Sequence, residues 1–104
     1  MYSRHVTCNL KPIKREELTQ MFDREILPLL QKQNGFHDEI AFVDQDGKQV
    51  LAISLWESKE SADTYSRETY PQVLKSLARV IEGTPQVRGY DVAVSTFHRA
   101  AATI

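Results

Sequence analysis

The chain has 104 residues, enough for one domain with a single core. Its hydrophobic content of 41% and charged content of 26% are typical of a globular protein rather than a disordered one. The net charge of -1 at pH 7, without any run of Lys or Arg, argues against nucleic-acid binding driven by phosphate neutralisation.

Cysteine usage and the N-terminal residues indicate the compartment. The single cysteine, Cys8, excludes an internal disulfide and a multi-cysteine metal site, and it suits a reducing environment. Residues 1–6 lack the apolar stretch of a signal peptide, and no segment reaches membrane-spanning length. We therefore expect a cytoplasmic protein without a membrane partner.

The first two predicted elements are a strand and a helix. Residues 2–9 alternate between apolar and polar side chains, which predicts a strand. From about residue 14 to 33 the apolar residues recur at three- and four-residue steps, which predicts an amphipathic helix. Pro28 lies inside this pattern and should kink the helix or tighten its last turns. Asn34-Gly35 should end it in a left-handed conformation.

A hairpin and a second helix follow. Residues 36–43 and 49–56 are rich in β-forming residues and flank an Asp-Gly pair, which predicts a β-hairpin. The second of these strands is apolar on both faces, so it should be central and covered on both sides. Ser58 can cap a second helix, which Pro71 divides into two pieces and residues 83–85 should close.

The last predicted strand completes the topology. It should run from about Gln86 to His98, with residues 99–104 as a tail. The order β-α-β-β-α-β with right-handed crossovers predicts an α+β, ferredoxin-like fold. Its antiparallel sheet should have the strand order 4-1-3-2, with both helices on one face. We predict one domain over residues 1–104, with its core at about 2–98.

The predicted sheet has apolar residues on both faces, although two helices can cover only one. Phe36, Ile40 and Phe42 should share a face of the second strand, and Val87 and Tyr90 should lie on opposite sides of the last. Monomers rarely expose an apolar surface of that size. The simplest cover is the same face of a second copy, related by a two-fold axis. There are two alternatives to this self-association. The chain could be a monomer with a partly apolar sheet, or a domain whose open sheet face binds a different protein.

Two segments of the chain resemble a known family. The stretch Leu55-Trp-Glu-Ser-Lys-Glu-Ser61, where the third strand meets the second helix, resembles the corresponding junction of the antibiotic biosynthesis monooxygenase-like domains. The segment 28–36, with a glycine and an aromatic residue after a proline-bearing helix, is similar to theirs, as is the spacing of elements over residues 2–98. The resemblance implies a dimeric α+β barrel, in which two ferredoxin-like units pack sheet against sheet and each has a cavity between its sheet and its helices.

The resemblance also implies a range of functions, because its motifs mark the fold more than the chemistry. The first hypothesis is a cofactor-independent monooxygenase-like enzyme that acts on a small aromatic or quinol-type molecule, without cofactor or metal. The second is a non-catalytic, small-molecule-binding or regulatory homodimer. A haem-binding protein is the third.

The haem-degrading members of the family provide a comparison for the candidate residues. They use an asparagine on the first strand, with a tryptophan and a histidine on the second helical segment. Asn9 stands at the equivalent of the first, whereas Tyr65 and Lys75 fall at the other two positions. No histidine lies between His37 and His98, so the axial ligand is missing and haem degradation in its familiar form is not expected.

The antiparallel geometry limits which residues can form one site. Asn9 should lie beside the start of the third strand and Trp56 at its far end, about 20 Å away. Tyr65, on the helix that runs back along the sheet, is then the better partner for Asn9. We predict that Asn9 and Tyr65 are catalytic and orient or ionise a phenolic substrate. The predicted substrate-binding residues are Leu18, Phe22, Phe42 and Tyr70.

Structural roles compete with these assignments. Tyrosines on such a helix commonly pack their rings with the hydroxyl at the surface, and Asn9 can simply start a turn. Trp56 is expected to pack in the core or an interface, and Cys8 to act as a small buried hydrophobe. His5, His37 and His98 should lie toward one end of the sheet, but His37 is two strands from His5, so a metal site is not expected.

Overall fold

The computed structural model describes residues 1–96. In chain order its elements are β1 (Tyr2–Leu10), α1 (Arg15–Met21), a π-helical turn (Phe22–Ile26), α2 (Leu27–Gln31), β2 (Phe36–Val43), β3 (Gln49–Trp56), α3 (Lys59–Glu68), α4 (Tyr70–Leu77) and β4 (Ile81–Asp91). The four strands form one sheet in the order β2-β3-β1-β4, and all three pairings are antiparallel. The predicted α+β, ferredoxin-like arrangement is therefore confirmed. None of the helices in residues 1–96 has the length and apolar character that crossing a membrane requires.

The core lies between the sheet and the helices. Even-numbered residues of β1 and β3 face the helices, and most of them are buried, as Val6, Cys8, Val50 and Trp56 illustrate. Successive side chains of a strand point to opposite faces. The odd-numbered apolar residues of β3 therefore lie on the other face of the sheet, where they are half-buried. This central strand is apolar on both sides, as its sequence predicted.

The second face of the sheet, here called the open face, has no helix over it in residues 1–96. It carries Ile40 and Phe42 of β2, Ile53 of β3 and Tyr90 of β4. Phe36 was predicted to share the face of Ile40 and Phe42, and this prediction is wrong. The pairing of β2 with β3 shifts register after Phe36, which turns its ring to the other side. There it packs edge-on against Trp56, with 5.5 Å between ring centroids.

The first helical region widens in its middle instead of tightening. The backbone N–H of Leu27 donates to the carbonyl of Phe22, five residues earlier. Pro28 has no N–H to offer the carbonyl of Arg24, and its ring crowds that carbonyl, so the regular α-helical pattern cannot continue. The resulting π-helical turn places both Phe22 and Ile26 in the core. Turns of this kind occur frequently at functional sites.

Three predicted helix boundaries are confirmed: the stop at Gly35, the cap at Ser58 and the division at Pro71. Gly35 follows the first with a φ of +80°, and a side chain there would collide with the hydroxyl of Ser61. Ser58 caps α3, because its side-chain oxygen accepts a hydrogen bond of 3.2 Å from the backbone N–H of Ser61. Thr69 separates α3 from α4 just before Pro71, as the proline predicted.

The last strand differs from its prediction at both ends. It begins at Ile81, so residues 83–85 belong to the strand and do not close the helix. β4 is an edge strand, where Pro85 removes no donor that the sheet needs. It ends at Asp91 rather than His98. His98 and the predicted tail lie outside the described residues.

Candidate active site

A cavity of about 30 Å³ lies between the sheet and the helices, with room for about two water molecules. Its walls are mainly apolar and come from β1, β3, the π-helical turn and α4; the apolar lining residues are Val6, Cys8, Phe22, Ile26, Val50, Ala52, Val73 and Leu77. Polar side chains from β1, β2, β3, α3 and α4 also line it: Arg4, Glu39, Ser54, Tyr65 and Tyr70. An apolar pocket with a few convergent polar groups is the usual form of a small-molecule site.

Arg4 provides a buried positive charge at this cavity. It occupies an even-numbered position of β1, so it faces the helices, and only 6% of its surface is exposed. Its Cζ lies 4.0 Å from the ring centroid of Tyr70 and 5.3 Å from that of Tyr65. Its Nε donates a hydrogen bond of 3.0 Å to the Ser66 hydroxyl. Two aromatic rings and one hydroxyl therefore stabilise the guanidinium.

Glu39 provides a buried carboxyl group opposite the arginine. It lies on the helix-facing side of β2, paired with Ser54 of β3. Its Oε1 is buried without a hydrogen-bond partner. Burial raises the pKa of Glu39 to about 8, and the nearby charge of Arg4 opposes the rise only in part. The group is therefore mostly neutral at pH 7.

Two tyrosines complete the polar part of the cavity. The hydroxyl of Tyr70 is buried and has no hydrogen-bond partner. Burial raises the pKa of Tyr70, with Arg4 acting against it, and burial raises the pKa of Tyr65 more strongly. Both hydroxyls therefore stay protonated at neutral pH and can donate hydrogen bonds.

Trp56 contacts two of the residues that line the cavity, Ser54 and Tyr65. It is fully buried, and its Nε1 donates a hydrogen bond of 2.8 Å to the Ser54 hydroxyl. Its ring centroid lies 4.9 Å from that of Tyr65. The prediction that Trp56 packs in the core is confirmed, and Cys8 is likewise a buried free thiol whose pKa burial raises.

The predicted pairing of Asn9 with Tyr65 is wrong. Asn9 is an odd-numbered residue of β1, so it faces away from the helices, and its Oδ1 accepts a hydrogen bond of 3.0 Å from the side chain of Gln49. Tyr65 lies at the opposite end of the sheet, against Trp56. Seven residues of helix after Ser58 carry the chain back by only about 10 Å. The helix therefore does not bring Tyr65 to Asn9.

The four predicted substrate-binding residues separate into three places. Phe22 and Tyr70 line the cavity. Phe22 also lines, with Leu18, a second pocket of about 330 Å³ between the first helical region and β2, here called the outer groove. Glu39 belongs to both pockets, so Phe22 and Glu39 stand at the boundary between them. Phe42 lies on the open face and lines neither.

Sequence reasoning missed Arg4 and Glu39, although the pattern contained a signal for each. Arg4 lies two residues before Val6 and four before Cys8 on β1, so it shares their helix-facing side. Glu39 lies four residues before Val43 on β2 and likewise shares its side of the strand. A charged residue on the core-facing side of a strand is expensive unless it has a partner or a function. Strand parity could therefore have identified both positions.

His5 and His37 are not part of this cavity. His5 lies on the open face, with its Nε2 3.1 Å from the Ser3 hydroxyl and its ring 4.8 Å from that of Tyr90. His37 has its Nε2 2.8 Å from a carboxylate oxygen of Glu57. Within residues 1–96, no histidine lines the cavity, and no group of three or more His, Cys, Asp or Glu is arranged to hold a metal. The described lining therefore does not provide the histidine ligand of a haem.

Comparison with known proteins identifies the fold. No family model and no curated protein sequence matches the chain. Among solved structures, a monooxygenase from the gene ActVA-Orf6 of Streptomyces coelicolor, in complex with the ligand nanaomycin D, matches with a TM-score of 0.74. It is 16% identical, over 92% of this chain and 90% of that one.

Two further structures match equally well. SnoaB, a cofactor-independent oxygenase from Streptomyces nogalater, has a TM-score of 0.72 at 12% identity, over 92% of this chain and 96% of that one. A protein of unknown function from Nitrosomonas europaea has a TM-score of 0.73 at 12% identity, over 92% of both chains. The chain therefore has the fold of the antibiotic biosynthesis monooxygenase-like proteins, as its sequence motifs indicated.

Proposed function

We propose that the chain is a cofactor-independent, monooxygenase-like protein that acts on a small aromatic or quinol-type molecule, with its polar oxygen in the cavity between sheet and helices and its ring toward the larger outer groove that adjoins the cavity at Phe22 and Glu39. The observation that carries the proposal is the pair of buried, unpartnered polar groups, Glu39 Oε1 and the Tyr70 hydroxyl, on one largely apolar cavity. Buried polar atoms almost always have hydrogen-bond partners in folded proteins. A ligand with hydroxyl or carbonyl oxygens would supply the missing ones, and the likeness to oxygenases supports the reaction class.

The proposed chemistry begins with a proton transfer to Glu39. Only the ionised fraction of Glu39, which is the minor form at pH 7, can act as the base. When this carboxylate accepts the proton of a phenolic or enolic hydroxyl, the ligand O–H bond breaks and the electron pair remains on the ligand. The electron-rich ring carbon then reacts with dioxygen, the co-substrate. For a ring methylene, one oxygen atom becomes the new carbonyl and the other leaves as water with the two methylene hydrogens. Tyr70 would orient the ligand oxygen by donating a hydrogen bond.

The test measures oxygen consumption with a panel of anthrone- and quinol-type compounds. We expect Glu39→Gln to lower the rate about 100-fold, because a positioned general base contributes at least that factor. Tyr70→Phe should lower it less, and Asn9→Ala, on the opposite side of the sheet, should leave it unchanged. Full activity in Glu39→Gln and Tyr70→Phe, or loss of activity in Asn9→Ala, would show that the reaction takes place elsewhere.

A non-catalytic, small-molecule-binding or regulatory homodimer is the second candidate function. The observation that favours it is the small cavity volume, about 30 Å³, which suits a compact ligand better than a polycyclic one. Saturable binding that depends on Glu39 and Tyr70, without any oxygen consumption, would support this function over the first.

We further infer that two copies associate through their open faces. Ile40, Phe42 and Tyr90 are large side chains of this face, and each is 45–50% exposed in a single copy. Burial of such a patch is the common role of a two-fold interface. The cytoplasm is the proposed location, since a chain whose only cysteine is a buried thiol suits a reducing compartment.

Phe42→Glu is expected to convert the dimer to a monomer, because it places a charge among the apolar side chains of the proposed interface. The matched control is Val87→Glu. Val87 is similarly exposed, at 46%, but it lines a pocket on the helix side of the sheet with Ala62 and Ser66. Light scattering at micromolar concentration measures the mass. A monomeric wild-type chain, or equal dissociation by both variants, would contradict the interface.

A further inference from the structure

Among residues 1–96, Arg4 is the only cationic residue that lines the cavity. The salt bridges of residues 1–96 join His37 with Glu57, Lys59 with Asp63, and Arg79 with Glu25, and Arg4 belongs to none of them. Its Nε donates a hydrogen bond to the Ser66 hydroxyl. The guanidinium is therefore a buried charge without a counterion in the described part of the chain.

A buried cation in this situation is unfavourable unless an anion neutralises it. Tyr70 stabilises the guanidinium with its ring, and its hydroxyl is close enough to Arg4 for the two to interact, but the protonated hydroxyl supplies no negative charge at pH 7. Glu39 is the acid at the same cavity, but its side chain lies farther than 4.0 Å from the guanidinium nitrogens and its charge is suppressed by burial. The cavity thus has a cation and, among its neutral donors, two whose buried oxygens lack a hydrogen-bond partner, the Glu39 carboxyl and the Tyr70 hydroxyl.

We propose that the cavity binds its ligand as an oxyanion, a carboxylate or an ionised enol, on Arg4, with the Glu39 carboxyl and the Tyr70 hydroxyl as additional donors. The inference rests on the proposed function, because it concerns the same cavity, and it specifies the charge of the ligand. Carboxylates and enolates share the feature that Arg4 recognises, a negatively charged oxygen next to a planar group.

The charge balance also determines where the proton lies. One negative charge neutralises Arg4, and it can belong either to the ligand or to Glu39. If both were ionised, the apolar cavity would contain a net negative charge. A ligand that enters as a neutral enol would therefore transfer its proton to the Glu39 carboxylate, and one that enters ionised would bind the protonated carboxyl. The bound state is the same in both cases.

This charge balance predicts that an ionised ligand binds less tightly as Glu39 loses its proton. The groups that face Glu39 across the cavity are Arg4, Cys8, Tyr65 and Tyr70, and the charged groups beside it in the outer groove are Arg15 and Asp23. The pKa values of Cys8 and both tyrosines are raised above their usual values, so Glu39 is the first of the cavity acids to ionise as the pH increases. Affinity for a permanent anion should fall about tenfold from pH 7 to pH 9.

The experiment compares charged and neutral ligands of the same shape on the full chain. Acetate and acetamide are the pair nearest in size to the cavity, and benzoate and benzamide add a planar ring, for which the outer groove beside Glu39 has room. We expect each carboxylate to bind at least tenfold more tightly than its amide at pH 7, in titrations followed by NMR. Arg4→Gln should remove that preference and leave amide binding within about twofold. Arg67→Gln, which changes an exposed arginine of α3, should leave both unchanged.

A second variant keeps the inference testable if Arg4→Gln does not fold. Glu39→Gln leaves Arg4 in place, so it should retain carboxylate binding but lose the tenfold weakening between pH 7 and pH 9. Equal binding of carboxylates and amides would overturn the anion assignment but not the proposed function. So would a pH dependence of carboxylate binding in Glu39→Gln that equals that of the wild-type chain. Failure of all four probes to bind the wild-type chain would contradict the proposed cavity site itself.

Discussion

Trp56→Ala is expected to lower the free energy of unfolding by about 3–5 kcal/mol, the usual effect of removing a buried aromatic side chain. Trp56 has no exposed surface, and its ring contacts those of Phe36 and Tyr65. The substitution would also remove the hydrogen bond from Nε1 to the Ser54 hydroxyl, leaving that buried oxygen without its donor. Loss of the indole ring would also leave an empty space next to Tyr65, so the candidate site should become less ordered.

Urea unfolding followed by circular dichroism measures this effect. Fluorescence is unsuitable, because Trp56 is the only tryptophan of the chain. Trp56→Phe retains most of the apolar contact and should have a smaller effect, and Val87→Ala, at an exposed position of the same sheet, should change stability by less than about 0.5 kcal/mol. If Trp56→Ala were no more destabilising than Val87→Ala, the residue would not be part of the core.

The fold was predictable from the sequence because its periodicities are strong and local. Alternation in β1 and three- and four-residue steps in the first helical region define the elements, and apolar residues on both faces of β3 mark it as central. Right-handed crossovers between these elements then give the order of the strands in the sheet. The errors occur where one residue changes the geometry. The shift after Phe36 reverses the face of a side chain, and Pro85 resembles a helix stop although an edge strand tolerates it.

The candidate site was predictable only in part, for a different reason. Tyr70 and Phe22 were found because residue type and helical face indicated a pocket. Asn9 was proposed from the family resemblance, but the parity of β1 turns it away from the helices. Arg4 and Glu39 depend on contacts between residues distant in the chain, and only the assembled structure reveals that these charges share one apolar cavity.

The stability of the chain should fall as the pH rises from about 4.5 to about 8, to the extent that Glu39 controls it. Burial raises the pKa of Glu39 from its usual 4.5 to about 8 in the folded chain. Between these values the folded state holds a proton that the unfolded state has released, so increasing pH favours unfolding. Each pH unit in this window costs up to about 1.4 kcal/mol, and the whole window on the order of 4 kcal/mol.

Other groups titrate in or near this window and must be separated from Glu39. Burial lowers the pKa of His5, which gives the opposite slope, because a histidine that resists protonation makes the folded state more stable as the pH rises. The pKa values of Glu25 and Asp44 are lowered by hydrogen bonds, so they act below the window. The difference between the wild-type chain and Glu39→Gln removes all three contributions.

Glu39→Gln should therefore match the wild-type chain near pH 5 and exceed its stability at pH 9 by on the order of 4 kcal/mol. Urea midpoints at pH 5, 7 and 9 measure the difference, and Glu16→Gln, at an exposed position of α1, should follow the wild-type chain throughout. Parallel curves for Glu39→Gln and the wild-type chain would mean that the carboxyl ionises without penalty. A variant that gains stability at high pH while losing oxygenase activity would instead indicate that a destabilising carboxyl is present because the ligand requires it.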